Sequence, residues 1–174
     1  MSTKANASLK ATSQASALKL LNYHATEIIP GLWAGDQEDA CSYFFLSEKK
    51  IQIILNCTTD IGFLPSEINI EKKRFAVEDN QSYQDNQKMY KNLDHIVEYL
   101  HKALNQNQNI LVHCHNGKQR SPTIIAAYFI RYAQVNSEQA INYLRSKIPG
   151  AFYPKPNFDY ALEQYNKDMK KKYH

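Results

Sequence analysis

The chain has 174 residues, of which 43% are hydrophobic, and a formal net charge of +4. These values fit one globular domain and exclude a disordered chain. The three cysteines, Cys41, Cys57 and Cys114, are too scattered for a disulfide framework or a zinc site, so we expect a reducing compartment, the cytoplasm. No apolar run approaches the roughly 20 residues that span a bilayer. The small basic excess is weak evidence about partners, and we expect no nucleic-acid partner.

Residues 1–26 are predicted to form an N-terminal extension, partly helical or disordered. Residues 1–23 are rich in Ser, Ala and Lys and contain neither an acid nor an arginine. Transit peptides are also Ser-rich and acid-poor, but they contain arginine, so a frayed tail or a short helix ending in "ALKLL" is favoured. Isolated short helices are marginal in water. A helix over about residues 8–22 therefore needs a surface to cover, on its own domain or on a second copy.

Short strands and helices alternate from Glu27 onward. "EIIPGLWAG" predicts two strands separated by Pro30 and Gly31. Asp36 is a typical helix N-cap, and the pattern predicts a helix from there to about Glu48. The residues expected on or near the buried side of this helix are Ala40, Tyr43, Phe44 and Leu46.

The middle of the chain predicts three strands and one long helix. The continuous apolar run at 51–57 suits a central parallel strand. Residues 70–77 predict a weaker strand, which leads into the acidic turn "EDN". Apolar residues at helical spacing predict an amphipathic helix over 86–105. Residues 109–113 then predict a short buried strand.

The last third of the chain is predicted to be helical. Residues 121–134 have the apolar density of a buried helix, with Pro122 in the first turn, where a missing N–H costs nothing. Two more helices are expected over about 137–147 and 157–170. The alternation of strands and helices predicts an α/β fold with a mainly parallel central sheet of about four to five strands, flanked by helices, in one domain over 27–174.

The loop "HCHNGKQRS", residues 113–121, joins a predicted strand to the buried helix. Free main-chain N–H groups and the positive end of a helix favour a bound anion at such a junction. Gly117 permits the backbone angles of a tight turn. Arg120 can offer two parallel N–H donors to two phosphate oxygens, which a lysine cannot do. The residues predicted to line this phosphate loop are His115, Asn116, Gly117, Lys118, Gln119 and Arg120.

Cys114 begins this loop, where the same positive field stabilises the thiolate form that attacks as a nucleophile. Ser121 is placed to donate a hydrogen bond to the sulfur and to ease its later departure. A lone cysteine is usually an inert buried residue, and a nucleotide-binding loop is excluded because its Gly-Lys-Ser/Thr ending is absent. A nucleophile, a turn glycine and an arginine within nine residues favour covalent catalysis.

These residues resemble the His-Cys-x5-Arg-Ser/Thr loop of cysteine-dependent protein tyrosine phosphatases, and "ILVHCHNGKQRSPTIIAAYFI" is similar to the dual-specificity branch. "IIPGLWAG", "IQIILNCT" and "YPKPNFDYAL" are similar to other segments of that branch, so the resemblance covers about Glu27 to Tyr165. The length and "LPSEINI" are similar to the compact type that poxviruses encode. The resemblance implies the protein-tyrosine-phosphatase-like fold and hydrolysis without a metal or cofactor.

The resemblance also implies roles for residues outside the loop. "FAVEDN" looks like the segment that carries the family's general acid, so Asp79 is the expected proton donor, with Glu78 and Asp85 as rivals and a mere turn cap as the alternative. His113 is expected to order the loop by hydrogen bonding. Asn157 is similar to the family asparagine that braces the loop, although a helix N-cap is an equal alternative.

The implied substrate is a phosphorylated protein. We find no counterpart of the segment that deepens the pocket of tyrosine-only phosphatases, so phosphoserine and phosphothreonine are expected as well as phosphotyrosine. Lys118 departs from many protein-directed relatives, and relatives that act on polyphosphates often have a lysine here. A phosphatase for phosphoinositide, inositol phosphate or RNA 5′-phosphate is therefore the alternative, and an inactive phosphate-binding scaffold is the second.

Two expectations concern features away from the loop. The similar poxvirus enzyme dimerises through a helical N-terminal extension, so the resemblance implies a homodimer through the helix at about residues 8–22, with packing on the chain's own domain as the alternative. Cys57 is expected to be a buried strand residue, and the alternative is a protective disulfide with Cys114 under oxidation.

Overall fold

The computed structural model describes residues 22–63 and 69–173. The expected N-terminal helix therefore lies, except for its last residue, outside the described part of the chain. The strands of the sheet are β1 (Thr26–Ile29), β2 (Leu32–Gly35), β3 (Ile51–Asn56), β4 (Glu71–Arg74) and β5 (Asn109–His113). The helices are α1 (Gln37–Ala40), α2 (Tyr43–Glu48), α3 (Tyr83–Asn105), α4 (Arg120–Tyr128), α5 (Ser137–Lys147) and α6 (Asp159–Tyr173).

The five strands form one sheet in the order β1-β2-β5-β3-β4. Only the β1–β2 pair is antiparallel, and β2, β5, β3 and β4 run parallel to one another. The predicted α/β fold with a mainly parallel sheet is confirmed. His113, the last residue of β5, is paired with Gly35 on one side and Asn56 on the other. The residue after the central strand therefore lies at the carboxyl edge of the sheet, where open α/β sheets bind ligands.

Both faces of the sheet are covered by helices. Side chains alternate along β5: Ile110 and Val112 pack in the larger core cluster with α3, α4, α5 and α6. Leu111 belongs to a second cluster that contains Phe45 of α2 and Trp33, as the two-residue period of a strand requires. Burial on both faces explains why the predicted strand at 51–57 is a continuous apolar run.

The segment after β2 forms two short helices, and the prediction of one helix to Glu48 is wrong. Asp36 caps α1 as predicted, but Ser42 starts α2, and its hydroxyl accepts a hydrogen bond from the N–H of Phe45. This restart changes which side chains face the core. Tyr43 and Phe44 are 67% and 38% exposed. The buried hydrophobic residues of this segment are Ala40, Phe45 and Leu46.

The helix that follows the phosphate loop is buried along its whole length. Every residue of α4 is buried, including the polar residues Arg120, Ser121 and Thr123 of its first half. A π-helical turn, Phe129–Ala133, continues α4 and ends at Gln134, which has a φ of 55°. The predicted helix at 121–134 is therefore confirmed in position, with a wider last turn. Helix α4 begins at Arg120, six residues after Cys114 at the sheet edge.

The described chain begins with residues that pack against the domain. Tyr23 contacts the rings of Trp33 and Phe45. The N–H of His24 donates to Asp39 Oδ1 at 2.8 Å, and its Nδ1 lies 2.9 Å from Asp36 Oδ2. The carboxylates of both aspartates also accept main-chain hydrogen bonds at the start of α1. Tyr23 and His24, which lie within the extension predicted over residues 1–26, therefore pack against the domain.

Candidate active site

The phosphate loop is wedged against the turn that follows β2. Gly117 has a φ of +67°, and a Cβ atom there would lie 2.9 Å from the main-chain oxygen of Gly35. The close approach leaves no room for a Cβ atom, and the left-handed conformation adds strain for any residue other than glycine. On the other side of the contact, the N–H of Gln37 donates to the carbonyl of His115 at 3.2 Å. The loop therefore has a rigid support.

The main-chain N–H groups of this loop are free. In residues 22–63 and 69–173, no group accepts a hydrogen bond from a main-chain N–H between His115 and Arg120. These N–H groups precede the N-terminus of α4, where the helix carries partial positive charge. Free donors and the helix dipole together make an anion-binding site of the kind expected from the sequence.

Cys114 is buried at the start of the loop, with 2% of its surface exposed. The hydroxyl of Ser121 donates a hydrogen bond to its Sγ at 3.3 Å. Ser121 is the second residue of α4, so the helix that supplies the positive field also supplies this donor. A hydroxyl that donates to sulfur stabilises the thiolate more than the thiol. The structure brings together the two residues as the sequence predicted.

Arg120 is buried, and one nitrogen of its guanidinium group is held by a hydrogen bond. Its Nη1 donates to the carbonyl of Val77 at 3.1 Å. Its Nε is buried and has no hydrogen-bond partner among the described residues. A buried donor without a partner is costly in a folded protein. An anion in the loop would accept a hydrogen bond from this Nε. The Nε is therefore a donor that remains available to a ligand.

Asp79 lies beside this arginine, in the loop after β4. Its Oδ2 is 4.0 Å from Nε of Arg120, and its Oδ1 accepts a hydrogen bond from Nδ2 of Asn157 at 2.8 Å. The two rival carboxylates have other partners. Glu78 accepts from the hydroxyl of Thr59. Asp85 pairs with Ser82, the N-cap of α3.

Asn157 does not cap a helix in this structure. Its side chain contacts Asp79, and α6 begins two residues later, at Asp159. The asparagine therefore links the end of the chain to the carboxylate beside Arg120. This contact joins residues 78 positions apart, and the sequence alone left the choice between brace and cap open.

His113 lies behind the loop, completely buried. Its Nδ1 donates to the carbonyl of Cys114 at 3.3 Å. Burial is the main reason that the pKa of His113 falls to about 4, although the hydrogen bond to Cys114 acts in the opposite direction. The imidazole is therefore neutral at physiological pH. It contacts the main chain next to Cys114, where the sequence predicted a residue that orders the loop.

The other predicted members of the phosphate loop occupy two different environments. The side chains of His115, Asn116 and Lys118 are exposed, and the aliphatic part of Lys118 lies against Gly150. Gln119 is buried, and its side-chain amide bonds to residues 153–157. Only the main-chain N–H of Gln119 is available to an anion.

Cys57 is a buried residue at the end of β3. Its N–H donates to the carbonyl of His113 at 2.9 Å, and its side chain is fully buried. Burial, followed by the neighbouring Cys114, raises the pKa of the Cys57 thiol well above its ordinary value. This thiol therefore remains protonated, whereas Ser121 and the loop N–H groups surround Cys114.

The loop, its position at the carboxyl edge of a mainly parallel sheet, and the arginine at the start of α4 define the cysteine-dependent phosphatase class of α/β proteins. A sequence comparison specifies the family. The family described as "Dual specificity phosphatase, catalytic domain" matches residues 32–168. The chain belongs to this family.

Two curated relatives are named as phosphatases. Human dual specificity protein phosphatase 16 is 30% identical over 156 residues, which are 88% of this chain and 22% of the relative. Tyrosine-protein phosphatase vhp-1 of Caenorhabditis elegans is 29% identical over 137 residues, which are 78% of this chain and 20% of the relative. The chain thus spans about a fifth of the length of these relatives.

Solved structures share the fold. The crystal structure of human DUSP28 matches with a TM-score of 0.75 at 20% identity, over 86% of this chain and 97% of that chain. The PTP-2 phosphatase of Cydia pomonella matches with a TM-score of 0.67 at 24% identity, over 82% of this chain and 90% of that chain. At these identities the comparison concerns the fold alone.

Proposed function

We propose that this chain is a cysteine-dependent protein phosphatase that hydrolyses phosphotyrosine as well as phosphoserine and phosphothreonine. The observation that carries the proposal is the hydrogen bond from Ser121 Oγ to Cys114 Sγ at 3.3 Å, within a loop of free N–H groups. The names of the relatives, among them tyrosine-protein and dual specificity protein phosphatases, support a phosphoprotein as the substrate.

In the first step, Cys114 Sγ attacks the phosphorus atom. The S–P bond forms while the bond between phosphorus and the leaving oxygen breaks, which produces a phosphocysteine intermediate. The free N–H groups and Nε of Arg120 bind the phosphoryl oxygens and stabilise the charge that develops in the transition state. Asp79 gives its proton to the leaving oxygen, so that the product departs as an alcohol or a phenol.

In the second step, water attacks the phosphorus atom and displaces the sulfur of Cys114. Asp79, now a carboxylate, takes a proton from the attacking water, while the S–P bond breaks and its electron pair returns to Cys114. The hydrogen bond from Ser121 stabilises the departing thiolate. Inorganic phosphate leaves, Asp79 is protonated again, and the site is ready for another cycle.

The proposal extends to the cellular setting of the chain. All three cysteines are free, and a nucleophilic thiol persists in a reducing compartment, so we place the enzyme in the cytoplasm. In the described ranges, no helix has both the length and the apolar content that a membrane crossing requires.

A homodimer through residues 8–22 is the further part of this proposal. Tyr23 and His24 anchor the end of that segment to the domain, so a truncated chain should start at Asn22 and keep both contacts. Light scattering at tens of micromolar on the full chain and on the truncated chain tests the dimer. Monomers in both cases would contradict it.

A substrate panel tests the proposed function. The chain is assayed in EDTA against phosphotyrosine and phosphothreonine peptides, phosphoinositides and 5′-triphosphate RNA, with Cys114→Ser as the control that lacks the nucleophile. We expect metal-independent release of phosphate from the peptides, which the control does not catalyse.

Two other results of this panel would change the proposed function. Faster turnover of phosphoinositide or RNA would replace the protein substrate by a polyphosphate. No turnover of any substrate, combined with binding of vanadate, would make the chain a phosphate-binding scaffold.

A further inference from the structure

Gln119 precedes the catalytic arginine in the phosphate loop, yet its side chain binds a different loop. Its Nε2 donates to the carbonyl oxygens of Tyr153 at 3.2 Å and Lys155 at 3.1 Å. Its Oε1 accepts from the N–H of Asn157 at 2.9 Å. Only 8% of Gln119 is exposed. A buried amide that uses both its donors and its acceptor holds its partners in a defined arrangement.

The same loop is attached to the phosphate loop at the neighbouring residue. The N–H of Phe152 donates to the carbonyl of Lys118 at 2.9 Å, and the side chain of Lys118 packs against Gly150. Residues 150–157 are thus bound by main-chain and side-chain contacts to two successive residues of the phosphate loop. The two loops form one unit.

Asn157 is held at both ends of its backbone. Its N–H donates to Gln119, and its carbonyl accepts from Nδ2 of Asn86 in α3 at 3.0 Å. Its side chain then donates to Oδ1 of Asp79 at 2.8 Å. Because the backbone of Asn157 is clamped, the position of its side-chain amide is determined, and this amide determines where the carboxylate of Asp79 lies.

We propose that Gln119 is a positioning residue for proton transfer, acting through Asn157 on Asp79. The proposal rests on the proposed function, in which Asp79 is the general acid. Proton transfer to the leaving oxygen requires hydrogen-bond reach, and Gln119 couples the position of the acid to the loop that holds the phosphoryl group. Loss of this coupling slows attack on substrates whose leaving oxygen needs the proton and largely spares substrates whose leaving oxygen departs without it.

The test uses Gln119→Met, which retains the length of the side chain and removes all three hydrogen bonds. The quantity measured is kcat/KM for two substrates, a phosphothreonine peptide and an aryl phosphate with a good leaving group. We expect the loss in kcat/KM to be about tenfold larger for the peptide than for the aryl phosphate. This loss is a part of the 10²- to 10⁴-fold rate enhancement that general acids contribute.

The matched control is Arg145→Met. Arg145 donates to the carbonyl of Phe152 at 3.3 Å and so contacts the same loop, but it does not contact Asn157. We expect this control to keep the wild-type ratio of the two kcat/KM values. The double variant Asp79→Asn with Gln119→Met should have the same ratio as Asp79→Asn alone, because the two residues act on the same proton.

Several outcomes overturn the positioning role. Equal losses on both substrates would show that Gln119 serves only the phosphate loop, and a double variant with a further change in the ratio would show that it acts independently of Asp79. If Gln119→Met does not fold, Asn157→Ala takes its place, and a wild-type ratio there contradicts the proposal. A wild-type chain with no activity on either substrate would overturn the proposed function and the positioning role together.

Discussion

The guanidinium of Arg120 donates to the carbonyl of Val77 at 3.1 Å, across 43 positions of sequence. This bond fixes Nη1 and leaves Nε facing Asp79, at 4.0 Å from its Oδ2. The arginine that we propose to bind the phosphoryl group is therefore attached to the segment that carries the proposed acid.

Arg120→Lys should be nearly as damaging as the loss of the arginine, although it retains the charge. A single ammonium cannot donate to Val77 and also offer a planar pair of donors to phosphoryl oxygens. We expect kcat to fall by about 10²- to 10³-fold, the range for loss of a transition-state donor. Steady-state kinetics on an aryl phosphate measure this, with the exposed Arg145→Lys as control. A loss of tenfold or less would show that two-point binding is not needed.

Cys114→Ser should abolish turnover while retaining the fold and the affinity for phosphate. A serine hydroxyl fits the loop but stays protonated, so the covalent step has no nucleophile. We expect activity to fall by a factor on the order of 10⁴ to 10⁶, as in other enzymes that lose their nucleophile. Turnover of para-nitrophenyl phosphate and calorimetric binding of phosphate measure the two effects. Substantial remaining activity would contradict the phosphocysteine mechanism.

Asp79→Asn should slow alkyl phosphates much more than aryl phosphates. A poor leaving group needs the proton, whereas an aryl oxide leaves more readily without it. We expect a loss of roughly 10²-fold on a phosphothreonine peptide and a smaller loss on an aryl phosphate, measured as kcat/KM. Glu78→Gln and Asp85→Asn are the matched controls. If Asp79→Asn keeps the wild-type rate on the peptide and either control loses it, the acid has been assigned to the wrong carboxylate.

Gly117→Ala should destabilise the domain and weaken phosphate binding. The left-handed φ of +67° and the 2.9 Å approach of a Cβ to Gly35 O both oppose a side chain. We expect the free energy of unfolding to fall by about 2 kcal/mol. Urea unfolding checks this against Gly62→Ala, since a Cβ at Gly62 has no atom of the described residues within 4 Å. Equal stability in the two variants would disprove the steric argument.

The free energy of unfolding should be lower in mild acid than at neutral pH because of His113. Its pKa is about 4 in the folded chain, below the ordinary 6.5, so the unfolded chain binds a proton that the folded chain does not. Stability from this residue is complete above pH 6.5 and decreases as the pH falls toward about 4. The difference between pH 7 and pH 5 is roughly 2 kcal/mol in the free energy of unfolding.

Urea unfolding of wild type and of His113→Asn at the two pH values measures that difference. Asparagine keeps a donor near the carbonyl of Cys114 but does not titrate, so we expect the variant to lose less stability than wild type at pH 5. His95→Asn, at an exposed position of α3, is the control and should behave as wild type. Parallel pH dependence in wild type and His113→Asn would contradict the assignment.

Local patterns in the sequence were sufficient for the fold class and the phosphate loop. The loop is encoded in nine consecutive residues, and its chemistry depends on a strand end, a turn and a helix start that adjoin in the chain. The apolar runs at 51–57 and 109–113 predicted parallel strands because burial on both faces leaves a continuous hydrophobic pattern. Periodicity failed at Ser42, where a local cap restarts a helix, and it made the strand predicted over 70–77 longer than the observed Glu71–Arg74.

Tertiary structure decided which distant residues meet at that loop. The proximity of Asp79, rather than Glu78 or Asp85, to Arg120 depends on the packing of the loop after β4. The bonds from Gln119 to Asn157 and from Asn157 to Asp79 cross 38 and 78 positions. No periodic pattern encodes such pairs, because side-chain hydrogen bonds between loops depend on where the whole core places each loop. The sequence by itself predicted Cys114 as the nucleophile and fixed the residues of its loop, and the packed fold determined which groups lie beside Asp79.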